Sequence, residues 1–292
     1  MIRPRSPIVS LENSISAAPF RVAPERGVEL EKIRDNFNFS IVFNDGPKFQ
    51  FWVGTSSREI TTTIASLEFL WASAHAHIVL FDEYGISQRE GHKHFNTGGN
   101  RRCKNALDLL GWSVRNLNTQ GADAWPEDLP RPVQFPEHGT DVHVTNELFL
   151  CGVAWIVLHE IEHIRLGHTP VYTNRSKEEE FEADLGATKW TLEHSLVETE
   201  SLKRTLGIAT AILSIMGIEQ DRDFNVNHSH PAAFERLYRC LDVACVDEND
   251  KVFAFASVIM QIQLWYSGKN FTLDGDSFKD MFCSYLVEYA RK

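Results

Sequence analysis

Leu148-Phe149-Leu150-Cys151-Gly152-Val153-Ala154-Trp155-Ile156-Val157-Leu158-His159-Glu160-Ile161-Glu162-His163 is the stretch on which the reading of this chain turns. Its first part is an apolar run, which marks a buried helix rather than a surface one. The run ends in HExxH. On a helix, residues four apart share one face, one turn from each other. His159 and His163 can therefore bind one zinc ion, while Glu160 between them points at a water on the metal. The bland alternative is an acidic, His-bearing surface helix. The apolar run argues against it, because buried His and Glu need partners, and a metal would supply one. Gly167 after Leu166, with Pro170 just beyond, ends the helix.

A catalytic zinc keeps three protein ligands and an open position for water, so a third ligand should follow nearby. Ser176 and Glu179 form a capping box for a new helix that carries Glu180-Phe181-Glu182-Ala183-Asp184. Glu180 is the candidate third ligand. Asp184, one turn later on the same face, could accept a hydrogen bond from a ligand His and fix its tautomer. The small Ala183 would let the two helices approach closely. The competing reading is a solvated acidic helix start, favoured by the helix dipole. A third block, Asn227-His228-Ser229-His230-Pro231-Ala232-Ala233-Phe234-Glu235-Arg236-Leu237, places Pro231 in the first turn of a helix with His230 at its mouth. Such a histidine can stabilise an oxyanion. Arg236 lies behind it as a further oxyanion or supporting partner. Without that context, His228 and His230 are ordinary loop histidines.

The order HEIEH, EFEAD, SHPAAFERL resembles the gluzincin metallopeptidases, and most closely families reading HExxH…ExxAD…HPxxxERL, which include membrane-bound CAAX-processing zinc peptidases. Among relatives without membrane spans the chain is similar to the phage-exclusion peptidase Lit family, in length, in the central position of HExxH, and in the upstream stretch from Ser66 to Tyr84. The resemblance at the zinc site covers about residues 145–240. It implies a zincin-like fold and proteolysis of elongation factor Tu during abortive infection, triggered by a phage-derived activator. Nothing in composition or spacing points to that substrate.

The bulk properties fit a cytoplasmic enzyme. The 292 residues suffice for a sizeable core, and a net charge of −11 speaks against a nucleic-acid partner. Five scattered cysteines without a CxxC read as reduced, buried thiols. The first residues lead into no apolar core, so no signal peptide is expected. The longest apolar runs, about 148–158, 207–218 and 252–266, fall short of the roughly 18 residues that span a bilayer, so no integral membrane segment is expected.

The expected fold is α+β, mainly α: a zincin-like metallopeptidase with an active-site HExxH helix and a small N-terminal β-hairpin or sheet. Residues 1–30, rich in Pro, Ser, Arg and Glu, read as a loose arm, and residues 31–292 as a single domain. Phe37–Phe43 and Phe49–Val53 read as a hairpin around Asn44-Asp45-Gly46-Pro47. Ser57 to Phe81 reads as a long helix in which His75 and His77 are core or rim histidines. Residues 85–104, with His92 and His94, read as a loop, 105–116 as a short helix, and 117–140 as mostly loop. Helices are expected at about 145–167, 177–199, 202–218, 231–247, 250–267 and 276–291. The chemistry expected is peptide hydrolysis: His159, His163 and Glu180 on Zn2+, Glu160 as general base, His230 and Arg236 at the oxyanion, and Glu162 structural. The rival is a zinc-stabilised sensor or interaction module without peptidase activity. An intact Glu160 disfavours it, since a structural zinc site needs no base.

Overall fold

The computed structural model describes residues 6–46, 48–54, 57–92, 95–117, 123–168, 177–219, 230–245, 247–269 and 275–291. The architecture is mainly α with one small sheet, as the sequence predicts. Its axis is helix α5 (Asp141–Leu166), capped at one end by the Thr140 hydroxyl, which accepts from the His143 amide, and at the other by Gly167 at φ 71°. Around it lie α3 (Ile64–Arg89), α6 (Lys177–Leu192) and α7 (Glu198–Glu219). Outside this group lie α4 (Arg101–Leu117), α8 (Ala233–Ala244), α9 (Lys251–Tyr266) and α10 (Phe278–Ala290).

Close crossings hold α5 in place. A Cβ added at Gly207 of α7 would sit 2.3 Å from the Cys151 Cβ, and one at Gly152 would meet the Gly207 carbonyl oxygen at 3.1 Å. A Cβ at Gly186 of α6 would lie 2.5 Å from Glu162 Oε2. Among the described residues three helices, α3, α5 and α7, are long and apolar enough to cross a membrane by length and composition. Between 67% and 83% of their apolar windows is buried inside the fold. They read as core helices, with their apolar faces taken up by one another.

Two N-terminal expectations are corrected. Residues 7–37, which include most of the arm expected over 1–30, are not loose. They form a 3-10 turn (Pro7–Leu11), α1 (Glu12–Arg21), a second turn (Pro24–Arg26) and α2 (Gly27–Phe37). Ile8, Leu11, Ile15 and Leu30 are each 1% exposed. Long-range contacts order the segment: Arg204 donates to both Glu25 oxygens, at 2.6 and 3.2 Å, and the Arg26 guanidinium lies 3.7 Å over the Trp190 ring. Nor do the two predicted strands pair as a hairpin. β1 (Ser40–Asn44) and β2 (Phe51–Gly54) flank a third strand, β3 (Glu59–Thr63), in the order β1-β3-β2. β1 runs parallel to β3 and β2 antiparallel to it. The β-branched run Ile60-Thr61-Thr62-Thr63 prefers this pleated setting to the helix expected there.

The helix boundaries also differ. α3 starts at Ile64, where the Thr63 hydroxyl accepts from the Ser66 amide, and runs on to Arg89 into the stretch read as a loop. α6 stops at Leu192. His75 and His77 are core residues, as expected. Pro170, Ser176, His94 and His228 lie outside the described residues.

Candidate active site

The apolar half of α5 buries the helix, and its last turns then carry four buried polar side chains into the α5–α6 contact. His159 and His163 bring their Nε2 atoms to 3.0 Å from each other. Glu180 enters from the first turn of α6, fully buried, with Oε2 3.5 Å from His159 Nε2 and Oε1 3.6 Å from His163 Nε2. The α6 helix is held there by Ala183 and Gly186, which allow close approach, and by the Trp155 indole, which donates to Thr188 Oγ1 at 3.0 Å.

These three spacings test the fit of a zinc ion. Tetrahedral zinc with bonds of about 2.0–2.1 Å separates its ligand atoms by about 3.4 Å. The observed 3.0, 3.5 and 3.6 Å bracket that value. Two imidazoles and one carboxylate are also a donor set that zinc takes, and among the described residues this trio is the one group of its kind.

Outer partners surround the trio. His159 Nδ1 lies 2.8 Å from Asp184 Oδ1, one turn beyond Glu180 on α6. Arg236, on α8, donates to both Asp184 oxygens at 2.7 and 2.8 Å. It therefore stands behind Asp184, 8% exposed, as well as lining the cavity described below. His230, half exposed, sets its Nδ1 2.8 Å from Glu180 Oε2. Burial disfavours charge on His159, but the Asp184 and Glu180 carboxylates outweigh it and push its pKa up to about 9. Burial likewise raises Glu180, and the imidazoles of His159 and His230 outweigh it and hold the carboxyl far below the usual range. Asp184 is held at about 2, where Arg236 and His159 overcome its burial. The site is a nest of buried carboxylate charge that favours a positive occupant.

A cavity of about 310 Å³ opens beside the trio. His159, Glu160, Glu180, Glu219, His230 and Arg236 form its polar side. Phe49, Phe51, Trp155, Ile156, Ile215 and Ile218 form its apolar wall. The seven residues singled out from sequence, His159, Glu160, His163, Glu180, Asp184, His230 and Arg236, thus meet in one place. Glu162 does not join them: its carboxylate takes Arg165 at 2.6 and 3.0 Å.

Comparison with known proteins gives the chain a class of chemistry. The sequence matches the family described as Peptidase U49 over residues 60–256, which contain the whole trio and its partners. The chain belongs to the peptidase U49 family. It is also 37% identical over 292 residues to the cell death peptidase of Escherichia coli (strain K12), with 98% of each chain covered. The resemblance read from the motifs therefore holds, and the molecule is a peptidase. No solved structure matches it.

Two site residues of this U49 peptidase escape the sequence reading. Glu219, at the end of α7, accepts from the Ala233 amide at 2.9 Å and so ties α7 to the start of α8 below His230. His168 sets its Nδ1 2.9 Å from His163 Nδ1. A signal for His168 was present in Gly167: a left-handed glycine after a helix turns the next residue back over the last turn.

Proposed function

We propose that this U49 peptidase is a zinc-dependent endopeptidase that cuts a protein in the cytoplasm. Elongation factor Tu, the target implied by the Lit-family resemblance, is its first candidate substrate, within a cell-death or phage-exclusion response set off by a phage-derived activator. The observation that carries the proposal is the convergence of His159, His163 and Glu180 at zinc-ligand spacings beside a cavity that Glu160 lines. His159 and His163 would hold the ion as neutral imidazoles and Glu180 as a carboxylate. Bound zinc lowers the pKa of water to about 7 and polarises a scissile carbonyl.

The protein's own groups supply the rest. Glu160, next to the trio and 6% exposed, takes the proton of the attacking water and returns it to the leaving amine. His230 gives its Nδ1 to Glu180, which leaves Nε2 as the atom to meet the oxyanion. Asp184 orients His159, and Arg236 balances Asp184. The apolar wall and the nearby β2 strand bind an extended segment of substrate and exclude water from the proton transfers.

Glu160→Gln keeps size and removes the base. Its zinc content should match wild type, while cleavage falls by about 10²–10⁴-fold. A proteome-wide search for new protein N-termini should find them in cells expressing wild type, elongation factor Tu among them, and not in cells expressing Glu160→Gln. Identical N-termini and identical toxicity from both proteins would favour the zinc-stabilised interaction module instead.

A further inference from the structure

We propose that His168 is a positioning residue for the ligand His163, with Glu182 behind it, so that each histidine of HExxH has its own outer partner. The α5 helix ends in a Schellman motif. The His168 amide donates to the His163 carbonyl at 3.0 Å, and the Gly167 amide to the Ile164 carbonyl at 3.2 Å, around Gly167 at φ 71°. This turn folds the His168 side chain back against His163 and buries it to 7% exposure. The Nδ1 atoms of the two rings then lie 2.9 Å apart, and His168 Nε2 lies 3.3 Å from Glu182 Oε2.

These contacts dictate which nitrogens carry protons. His163 turns Nε2 toward His159 and Glu180, so Nε2 must keep its lone pair for a metal and the proton sits on Nδ1. That N–H donates to His168 Nδ1, which therefore accepts. The His168 proton is then on Nε2, where it faces the Glu182 carboxylate. The chain of donors runs His163 to His168 to Glu182. Helix α6 thus supplies the ligand Glu180 and both remote anchors, Asp184 for His159 and Glu182 for His163. Glu182 stands apart from the trio, 64% exposed at its side chain, and its place beside His168 gives it a purpose other than ligation.

The inference rests on zinc binding at His159, His163 and Glu180, and its test keeps the two apart. Zinc affinity of the whole chain is measured by chelator competition, alongside the melting temperature of the chelator-stripped protein. His168→Ala should weaken zinc by about 10–100-fold, the usual size for an outer partner, with little change in the stripped protein's melting. His168→Asn, whose side-chain oxygen can accept near the Nδ1 position, should recover most of the affinity. Glu182→Gln, which still accepts, should cost less than His168→Ala. In wild-type protein loaded with zinc, 15N NMR of the imidazoles should show His163 protonated at Nδ1 and His168 at Nε2. That spectrum needs no variant and decides the matter even where a variant misfolds. The reverse tautomers would overturn the proposal. So would wild-type affinity in His168→Ala, or an affinity loss as complete as that of His163→Ala, which would make His168 a ligand. Should His159→Ala and His163→Ala both retain zinc, the zinc reading itself falls.

Discussion

His77 and His159 are buried almost equally, at 3% and 5% exposure, yet their pKa values move in opposite directions. His77 sits on α3 against the edge of the Phe255 ring, in surroundings that offer its charge nothing, and burial pushes it down to about 3. His159 sits between two carboxylates that overcome burial and push it up to about 9. Burial by itself neutralises a histidine. What marks the α5–α6 contact is an assembled excess of buried negative charge, and this separates His159 from a packing histidine more sharply than depth does.

The comparison breaks most visibly in metal content. His159→Ala should lose most of the roughly one equivalent of zinc expected per chain, and with it the peptidase activity, whereas His77→Phe should keep both. Metal analysis of protein purified without added zinc decides it, and equal zinc in the two variants would erase the difference between the two histidines.

Arg236→Met should be next in size. It leaves Asp184, 1% exposed, as a buried carboxylate without its guanidinium, at a cost of about 3–5 kcal/mol to folding. Adding Asp184→Asn should restore part of that loss, and denaturant titrations of the single and double variants in chelator measure the coupling. Strict additivity would mean that the pair does not act as a unit.

The smallest effect sharpens the other side. His77 has its folded pKa below the ordinary 6.5, so between pH 6.5 and about 3 the unfolded chain takes up a proton that the native chain refuses. His75, held at about 4, adds to this from pH 6.5 to about 4. Stability should therefore fall as pH drops through this window, with each histidine contributing a slope of up to about 1.4 kcal/mol per pH unit, and neither contributing above about pH 7.5. His77→Phe should lose less stability than wild type between pH 6.5 and 4.5. Parallel curves for the two proteins would mean that His77 is not held neutral.

The site was legible in the sequence because its logic is local. HEIEH fixes two residues on one helical face, the four-residue step from Glu180 to Asp184 fixes two more, and Pro231 marks the helix start beside His230. The apolar run before His159 announced the buried α5 just as plainly. What could not be read depends on partners distant in sequence. β1 lies parallel to β3, a pairing set by the sheet and not by the turn residues between the predicted strands. The helices of residues 12–37 carry a weak apolar pattern and are ordered by Trp190 and Arg204. His168 is the intermediate case: Gly167 predicted the reversal, but only the folded turn shows which ring the next side chain meets.

The ion pair between Glu25 and Arg204 joins residues 179 positions apart, and α1 packs on α5. During synthesis the first helices emerge well before the segment that orders them, and long-range closure of this kind slows folding. The HExxH helix receives its backing from the earliest part of the chain and its partner Glu180 from a later one. A ribosome-bound fragment ending before Glu180 therefore carries HExxH without the carboxylate that faces it, so the trio is assembled late in biosynthesis, after the early and late parts of the chain have closed on each other.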